Sequence, residues 1–365
     1  QLTQGDDGKA LADRLEHAWY TLQAKNKDEA VNFFDAILLA FKKEIIYVNL
    51  LCLFDTIVKA GQALLIGAIV GWVSKYANDN ASAKDGIILV SLMSLASLII
   101  VIAHHIFWFY GYRAGYRIKI ATVGFIYRKT SRLSQASIYS TLNGADGGKI
   151  INLAANDSKK LELVTWTHPF LWITPLFTII MLTFAYDLIG VSALFGFFLI
   201  LLAFPIQGFQ GKLVGRYRML SQQCADLRLK ITNELISALR IMKQFAWEDK
   251  HAERVVKQRE DEMYQIYKAA IVRSIMGAYS MTAMGLYSFG TFVMYHLLGN
   301  ELTAQKVYGT ISIFMLLKWQ VANMFGYSML TYSDAKVSLK RIQQFLNLSE
   351  LKQETTTSTT QQEQD

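Results

Sequence analysis

Residues 86–132 read GIILVSLMSLASLIIVIAHHIFWFYGYRAGYRIKIATVGFIYRKTSR. From Gly86 to Gly111 the segment holds no Asp, Glu, Lys or Arg; beyond it come Arg113, Arg117, Lys119, Arg128, Lys129 and Arg132, with no proline to stop a helix. Crossing ~30 Å of hydrocarbon takes ~20 helical residues, so the apolar half spans a bilayer. The basic half prolongs the same helix into water.

Five further apolar stretches have comparable length, at about residues 48–74, 163–186, 189–207, 274–298 and 305–329. Six crossings place both termini on one side. About fifty polar, helix-compatible residues separate the second and third stretches, and about sixty-five the fourth and fifth; at ~1.5 Å per residue these are hairpins reaching tens of ångströms from the bilayer. The other connections, Tyr76 to Asp85, Asp187 to Gly190 and Gly299 to Gln305, are short.

Short loops kept in the cytoplasm carry the excess of Lys and Arg. The short connections hold only Lys84, with Lys75 and Lys306 at their edges, whereas the long hairpins add Lys149, Lys159, Lys160, Lys212, Arg216, Arg218, Arg228, Lys230, Arg240, Lys243, Lys250 and Arg254 to the basic residues above. The hairpins and termini are therefore expected in the cytoplasm. The formal net charge of +8 is spread along these helices and not gathered on one basic face, which argues against nucleic acid as a partner.

A hydrophobic share of 52% and only 3 prolines in 365 residues fit one all-α membrane unit. Cys52 lies in the first span and Cys224 in a hairpin, so no disulfide is expected. Leu11, Leu15, Trp19 and Leu22 recur at helical spacing, as do Val31, Phe34, Ile37, Leu38 and Phe41, and both stripes predict helices lying at the inner membrane surface. The polar N-terminus lacks a cleavable apolar core, and the chain does not begin with Met, as expected of a fragment. Gln353 to Asp365 is too polar to fold alone and reads as a linker. Asn80-Ala81-Ser82 in an outer loop is an acceptor triplet for glycosylation, but so are Asn156-Asp157-Ser158 and Asn347-Leu348-Ser349 on the opposite side, so the triplet decides nothing.

Several ordered motifs carry a family resemblance: Ile126-Tyr127-Arg128-Lys129-Thr130-Ser131-Arg132-Leu133-Ser134, Gly148-Lys149-Ile150-Ile151-Asn152-Leu153-Ala154-Ala155-Asn156-Asp157, Asp226 to Glu234, Arg240-Ile241-Met242-Lys243-Gln244-Phe245-Ala246-Trp247-Glu248, and Val337 to Leu346. Together, over about residues 10–348, they resemble the first transmembrane domain of the C subfamily of ABC transporters, the multidrug-resistance-associated proteins, especially the short members. The cystic-fibrosis chloride channel is a cousin. The resemblance implies a six-helix type IV exporter domain with long cytoplasmic helical extensions: N-terminal lasso and elbow helices over 1–45, the transmembrane domain over 46–348, and a linker over 349–365 toward a nucleotide-binding domain. It also implies that each hairpin ends in a coupling element, one around Gln135 to Gly148 with Ser137, Gly144 and Gly148, the other at Phe245 to Arg254 with Phe245, Trp247 and Glu248. The implied partners are the lipid bilayer, two nucleotide-binding domains, a second transmembrane domain and an amphipathic anionic small molecule.

A phosphate-cradling loop needs Gly, four residues, then Gly-Lys-Ser/Thr. Gly144 to Lys149 has the wrong glycine spacing and is followed by Ile150. No cofactor or metal is expected on this chain, and Mg-ATP is expected on nucleotide-binding domains outside it.

Ionisable residues within spans are costly and mark pathways or partners. Asp55 and Lys59 form an i,i+4 pair in the favourable order. Lys59, His105 and Lys318 lie roughly 20 to 30 Å from the outer ends of their spans by helical rise, and Trp108, Phe314, Trp319 and Phe325 supply apolar walls. These seven residues are the candidate site for an amphipathic organic anion, although each aromatic taken alone is better explained by packing. Ala63 and Gly326 stand where relatives often have proline, while Pro169, Pro175 and Pro205 are expected bends. Export by alternating access is the leading reading. A gated anion channel and a scaffold without ATPase domains are the alternatives. The plasma membrane is the first expectation for location, a vacuolar or other internal membrane the second.

Overall fold

The computed structural model describes residues 6–25, 32–78, 80–133, 147–348 and 350. They form α1 (Gly8–Lys25), α2 (Phe33–Tyr76), α3 (Ala83–Arg132), α4 (Gly147–Asn152), a π-helical turn (Leu153–Asp157), α5 (Ser158–Thr167), α6 (Pro169–Ile189), α7 (Ser192–Ser237), α8 (Leu239–Phe245), α9 (Glu248–Leu297), α10 (Ala304–Leu317), a second π-helical segment (Lys318–Phe325) and α11 (Gly326–Leu346). The bridge Leu133–Glu350 is the one β feature among the described residues.

All six apolar stretches are helical. Two of the helical segments, Ala83–Arg132 and Gly148–Ile189, are long and apolar enough by length and composition alone to cross a membrane. In the first, only 11% of the apolar window is buried within the chain, whereas the core helix of a soluble protein would be covered; its outward Ile87, Leu98 and Phe109 are exposed.

Local chemistry sets the ends. The Ser82 hydroxyl accepts from the Lys84 N–H at 3.2 Å, capping α3, with Asp85 in its first turn and Lys129 and Arg132 in its last, each sign placed to suit the helix dipole. Pro169 opens α6, where its missing N–H costs nothing. Gly190 (φ +59°) and Gly299 (φ +80°) reverse the chain after α6 and α9, in left-handed conformations that a Cβ disfavours. Helix α2 runs on through Ala63, its one departure from helical geometry lying at Phe41 (φ −118°, ψ 24°).

The chain divides into two compact units, one of residues 1–65, 82–179 and 319–365, the other of 66–81 and 180–318. In the first, α3 approaches α5 so closely that a Cβ on Gly115 would lie 2.6 Å from the Glu162 carbonyl oxygen. Helix α11 is held to the same layer. Ser328 Oγ donates to the Thr167 carbonyl at 2.8 Å, Thr167 and Thr331 share a 2.7 Å hydrogen bond, and buried Asp157 accepts from Ser338 Oγ at 2.8 Å and pairs with Arg341 at 3.0 Å. In the second unit, α7 and α9 are antiparallel arms of 46 and 50 residues, or ~70 and ~75 Å by helical rise. Glu262 on α9 ties them together, accepting from Arg228 of α7 at 2.8 Å and from Arg259 at 2.7 Å.

The N-terminal helices differ from expectation. Leu11, Leu15 and Trp19, assigned above to the membrane surface, are buried with Ile118, Phe125 and Ile126 of α3 in one apolar cluster. A partner helix offers the same removal from water, and here charge adds to it. Asp6 accepts from Arg113 at 2.7 Å and Arg117 at 2.6 Å, Glu16 from Arg128 at 2.8 Å and Arg132 at 2.6 Å, and Glu44 pairs with Arg14 at 2.7 Å. In α2 the buried set is Phe33, Ala36, Ile37, Ala40 and Phe41, while Phe34 and Leu38 stay exposed, a face rotated from the one read in the sequence.

Candidate functional site

In the first unit, α2 and α3 bring ionisable groups together within their apolar stretches. Lys59 Nζ donates to Asp55 Oδ2 at 2.6 Å, and the Asp55 side chain is 3% exposed against 22% for Lys59. From α3, Trp108 Nε1 donates to His104 Nε2 at 2.9 Å. An indole nitrogen only donates, so Nε2 carries the lone pair and Nδ1 the proton. Nδ1 lies 3.4 Å from Asp55 Oδ2 and 3.1 Å from Lys59 Nζ. It therefore donates to Asp55, and its contact with the ammonium is an approach of two donors. Asp55 Oδ1 is buried without a hydrogen bond among the described residues.

The sequence reading named His105 for the anion site; in the structure it is His104 that meets Asp55 and Lys59, and His105 is exposed. Neighbouring residues on a helix point about 100° apart, so only one of the two can meet α2. Lys59 needs a second correction. Asp55 compensates its charge, so it is not a free cationic hook.

Trp108 leads into an aromatic cluster. Its ring lies 4.6 Å from Trp166 and 5.4 Å from Tyr112, and Trp166 lies 5.8 Å from Tyr327. Trp166 is buried and its Nε1 has no acceptor among the described residues, although a buried indole N–H usually finds one. Trp166, Tyr112 and His104 were absent from the sequence-derived site. Trp166 stands three residues before Pro169, a placement that carries no signal of its own.

Of the remaining candidates, Phe314 is 1% exposed and packs within the second unit against Gly196, where a Cβ would collide with its ring. It belongs to the core and is not a wall. Lys318 ends the second unit at the start of the π-helical segment, is partly exposed, and has no hydrogen bond or ion pair among the described residues. Trp319 is 52% exposed. Phe325 closes the same segment just before Gly326. π-Turns often mark functional positions in helices, and this one ends immediately before Gly326.

The second hairpin ends in a turn built by Ala246 in the left-handed region (φ 52°). The Trp247 N–H returns to the Met242 carbonyl at 3.1 Å, and Lys243 pairs with Glu248 at 2.8 Å across the turn. Phe245 and Trp247 stack at 5.2 Å with 25° between planes, yet they are 61% and 50% exposed. Gly148 is exposed with open space around it; Ser137 and Gly144 lie outside the described residues. Among the described residues no cluster of three His, Cys, Asp or Glu could hold a metal ion, and both cysteines are free thiols.

Residues 45–321 match the family described as the ABC transporter transmembrane region. ATP-binding cassette sub-family C member 4 of Mus musculus is 30% identical over 351 residues, 95% of this chain and 26% of its own length. Sub-family C member 3 of Mus musculus is 26% identical over 332 residues, 90% of this chain and 21% of its own length. The probable multidrug resistance-associated protein lethal(2)03659 of Drosophila melanogaster is 27% identical over 236 residues, 65% of this chain and 17% of its own length. The chain spans about a quarter or less of the length of these relatives.

Proposed function

The chain belongs to the ABC transporter transmembrane family, in its C subfamily, and on that premise we propose that it forms the first membrane half of an ATP-driven exporter of amphipathic organic anions. It is an integral membrane protein, read here as six spans with both long hairpins and both termini in the cytoplasm, at the plasma membrane. Two nucleotide-binding domains and a second transmembrane domain complete the machine. Mg-ATP is assigned to those domains, since a phosphate-cradling loop of Gly, four residues, then Gly-Lys-Ser/Thr does not occur in this sequence.

One observation carries the choice of an anion. Lys318 is a partly buried cation in an apolar helix with no counter-charge among the described residues. Such a group in a membrane is costly unless it faces a wet path or an anion. Trp319 and Phe325 follow on the same π-helical segment and give apolar surface for the rest of the molecule. Lys59 enters as half of an ion pair that keeps α2 and α3 in register with His104, ready to donate its remaining protons.

Phe245 and Trp247 supply the mechanical link. An exposed aromatic pair on a rigid turn, at the end of arms ~70 Å long, suits docking into a nucleotide-binding domain. Closure of those domains on ATP would move the arms and turn the pathway outward. Uptake of an anionic conjugate by inside-out vesicles carrying the whole transporter, together with substrate-stimulated ATP hydrolysis, tests the reading. ATP-gated single-channel currents without stimulated hydrolysis would replace it with a channel.

A further inference from the structure

A cavity of about 530 Å³ opens on the first unit between the start of α2, the α5–α6 junction and α11. Ile37, Leu38, Val164, Leu171 and Leu339 are among its walls, and the volume is that of a ligand pocket. Its lining on α11 follows one helical face, Tyr332, Ala335, Lys336, Leu339, Lys340 and Gln343, so the two lysines stand one turn apart on the side that faces the cavity. Both are exposed and neither has an ion-pair partner among the described residues. The cavity is separate from the Lys59 and Lys318 positions, neither of which lines it.

Depth follows from the same helices. Leu161 to Trp172 is where the third apolar stretch enters hydrocarbon, and Trp172 and Tyr332 have the half-apolar, half-polar character of side chains at a membrane boundary. The His168 and Asn49 pair that floors this level is already satisfied: His168 Nδ1 donates to the Thr165 carbonyl at 2.7 Å, Asn49 Nδ2 donates to His168 Nε2 at 2.8 Å, and Trp172 Nε1 donates to Asn49 Oδ1 at 2.7 Å. The polar need of the site is thus concentrated in the lysines. An apolar pocket between membrane-entering helices, with unpaired cations at its cytoplasmic end, matches a lipid whose chain fills the pocket and whose anionic headgroup meets the cations.

We propose that this cavity is a binding site for an anionic phospholipid of the inner leaflet, the acyl chain lying between α2, α6 and α11 and the phosphate-bearing headgroup on Lys336 and Lys340. The assignment of leaflet rests on the orientation given under Proposed function. A bound lipid would clamp α11 to the elbow at the start of α2, and so support the segment that leads away from the π-helical turn at Lys318.

The test uses the whole transporter in vesicles of phosphatidylcholine, with a photoactivatable acyl chain carried either by added phosphatidylserine or by phosphatidylcholine itself, placed in one leaflet at a time. Labelled peptides are mapped by mass spectrometry. Phosphatidylserine in the inner leaflet should label peptides containing Leu38, Val164 and Leu339 in preference to phosphatidylcholine. At about fivefold per surface lysine, Lys336→Gln with Lys340→Gln should lower that preference roughly twenty- to thirtyfold, while Lys336→Arg with Lys340→Arg retains it. Both positions are exposed, so the variants should fold. Equal labelling by the two lipids, or labelling indifferent to the glutamine pair, overturns the proposal and leaves the orientation standing. Labelling from the outer leaflet alone overturns the orientation. Displacement of the photolipid by a transported organic anion would assign the cavity to cargo and also overturn the proposal.

Discussion

Replacing Lys59 with Met should destabilise the protein far more than replacing Lys59 and Asp55 together. Asp55 is 3% exposed and its Oδ2 sits 2.6 Å from the ammonium. Removing one partner of a buried pair costs ~3–5 kcal/mol because the other charge is left uncompensated. His104 Nδ1–H remains, but its 3.4 Å contact is long and offsets at most ~1 kcal/mol. Lys59→Met is therefore expected to cost roughly 2–4 kcal/mol, raising the unfolded fraction about thirty- to a thousandfold. In Asp55→Asn with Lys59→Met no buried charge remains, and the amide oxygen still accepts from His104. That double variant should recover at least half of the loss. The assay is the thermal midpoint of the purified whole transporter, with the fraction reaching the cell surface measured in parallel. A Lys59→Met protein as stable as the parent, or a double variant no better than the single one, would refute the argument that Lys59 chiefly neutralises Asp55.

Trp247→Ala should leave the affinity for a transported anion nearly intact while lowering both transport and substrate-stimulated ATP hydrolysis, since Phe245 and Trp247 stack in the open at the turn between α8 and α9; normal coupling in a correctly inserted variant would contradict this. Gly115→Val should cost at least ~2 kcal/mol, since even a Cβ there would lie 2.6 Å from the Glu162 carbonyl and backbone must shift, whereas Gly148→Ala, in open space, should be silent; surface expression and thermal midpoint separate the two. The hydrogen bonds from Arg228 and then Arg259 hold the Glu262 carboxyl below the usual glutamate range. Its contribution to the joint between α7 and α9 is thus complete above that range and lost as pH falls through the lowered value, so hydrogen exchange around Glu262 should quicken only at acid pH, whereas Arg228→Met, which lacks the cross-arm bond at every pH, should already exchange fast at neutrality.

The long periods were legible in the sequence. A run without charge from Gly86 to Gly111 and a basic, proline-free continuation can be little else than one helix, and the same holds for α9; Pro205 was expected to bend its span, yet α7 continues through it from Ser192 to Ser237. Which face of a helix meets which neighbour was not legible. His104 and His105 are equally good candidates until α2 is placed, and Phe314 looks like a wall until Gly196 is found beneath it. The N-terminal helix shows the same limit: its apolar stripe was evident, but Asp6 and Glu16 meet arginines more than a hundred residues away, and that long-range pairing takes the stripe off the membrane and onto α3. The π-helical segment from Lys318 to Phe325 left no local trace except Gly326, because an inserted residue in a helix is a matter of packing and not of propensity. Residues 134–146, which hold Ser137 and Gly144, lie outside the described structure.

The central claim is that this membrane half recognises an anion through Lys318. A charge-assisted contact in an occluded site contributes roughly 1.5–3 kcal/mol, about ten- to a hundredfold in affinity. The direct measurement compares binding of an anionic substrate and its neutral ester to membranes carrying the parent transporter or Lys318→Ala. The account predicts a ten- to hundredfold loss for the anion and little change for the ester; equal losses for both ligands, or none for either, would contradict it.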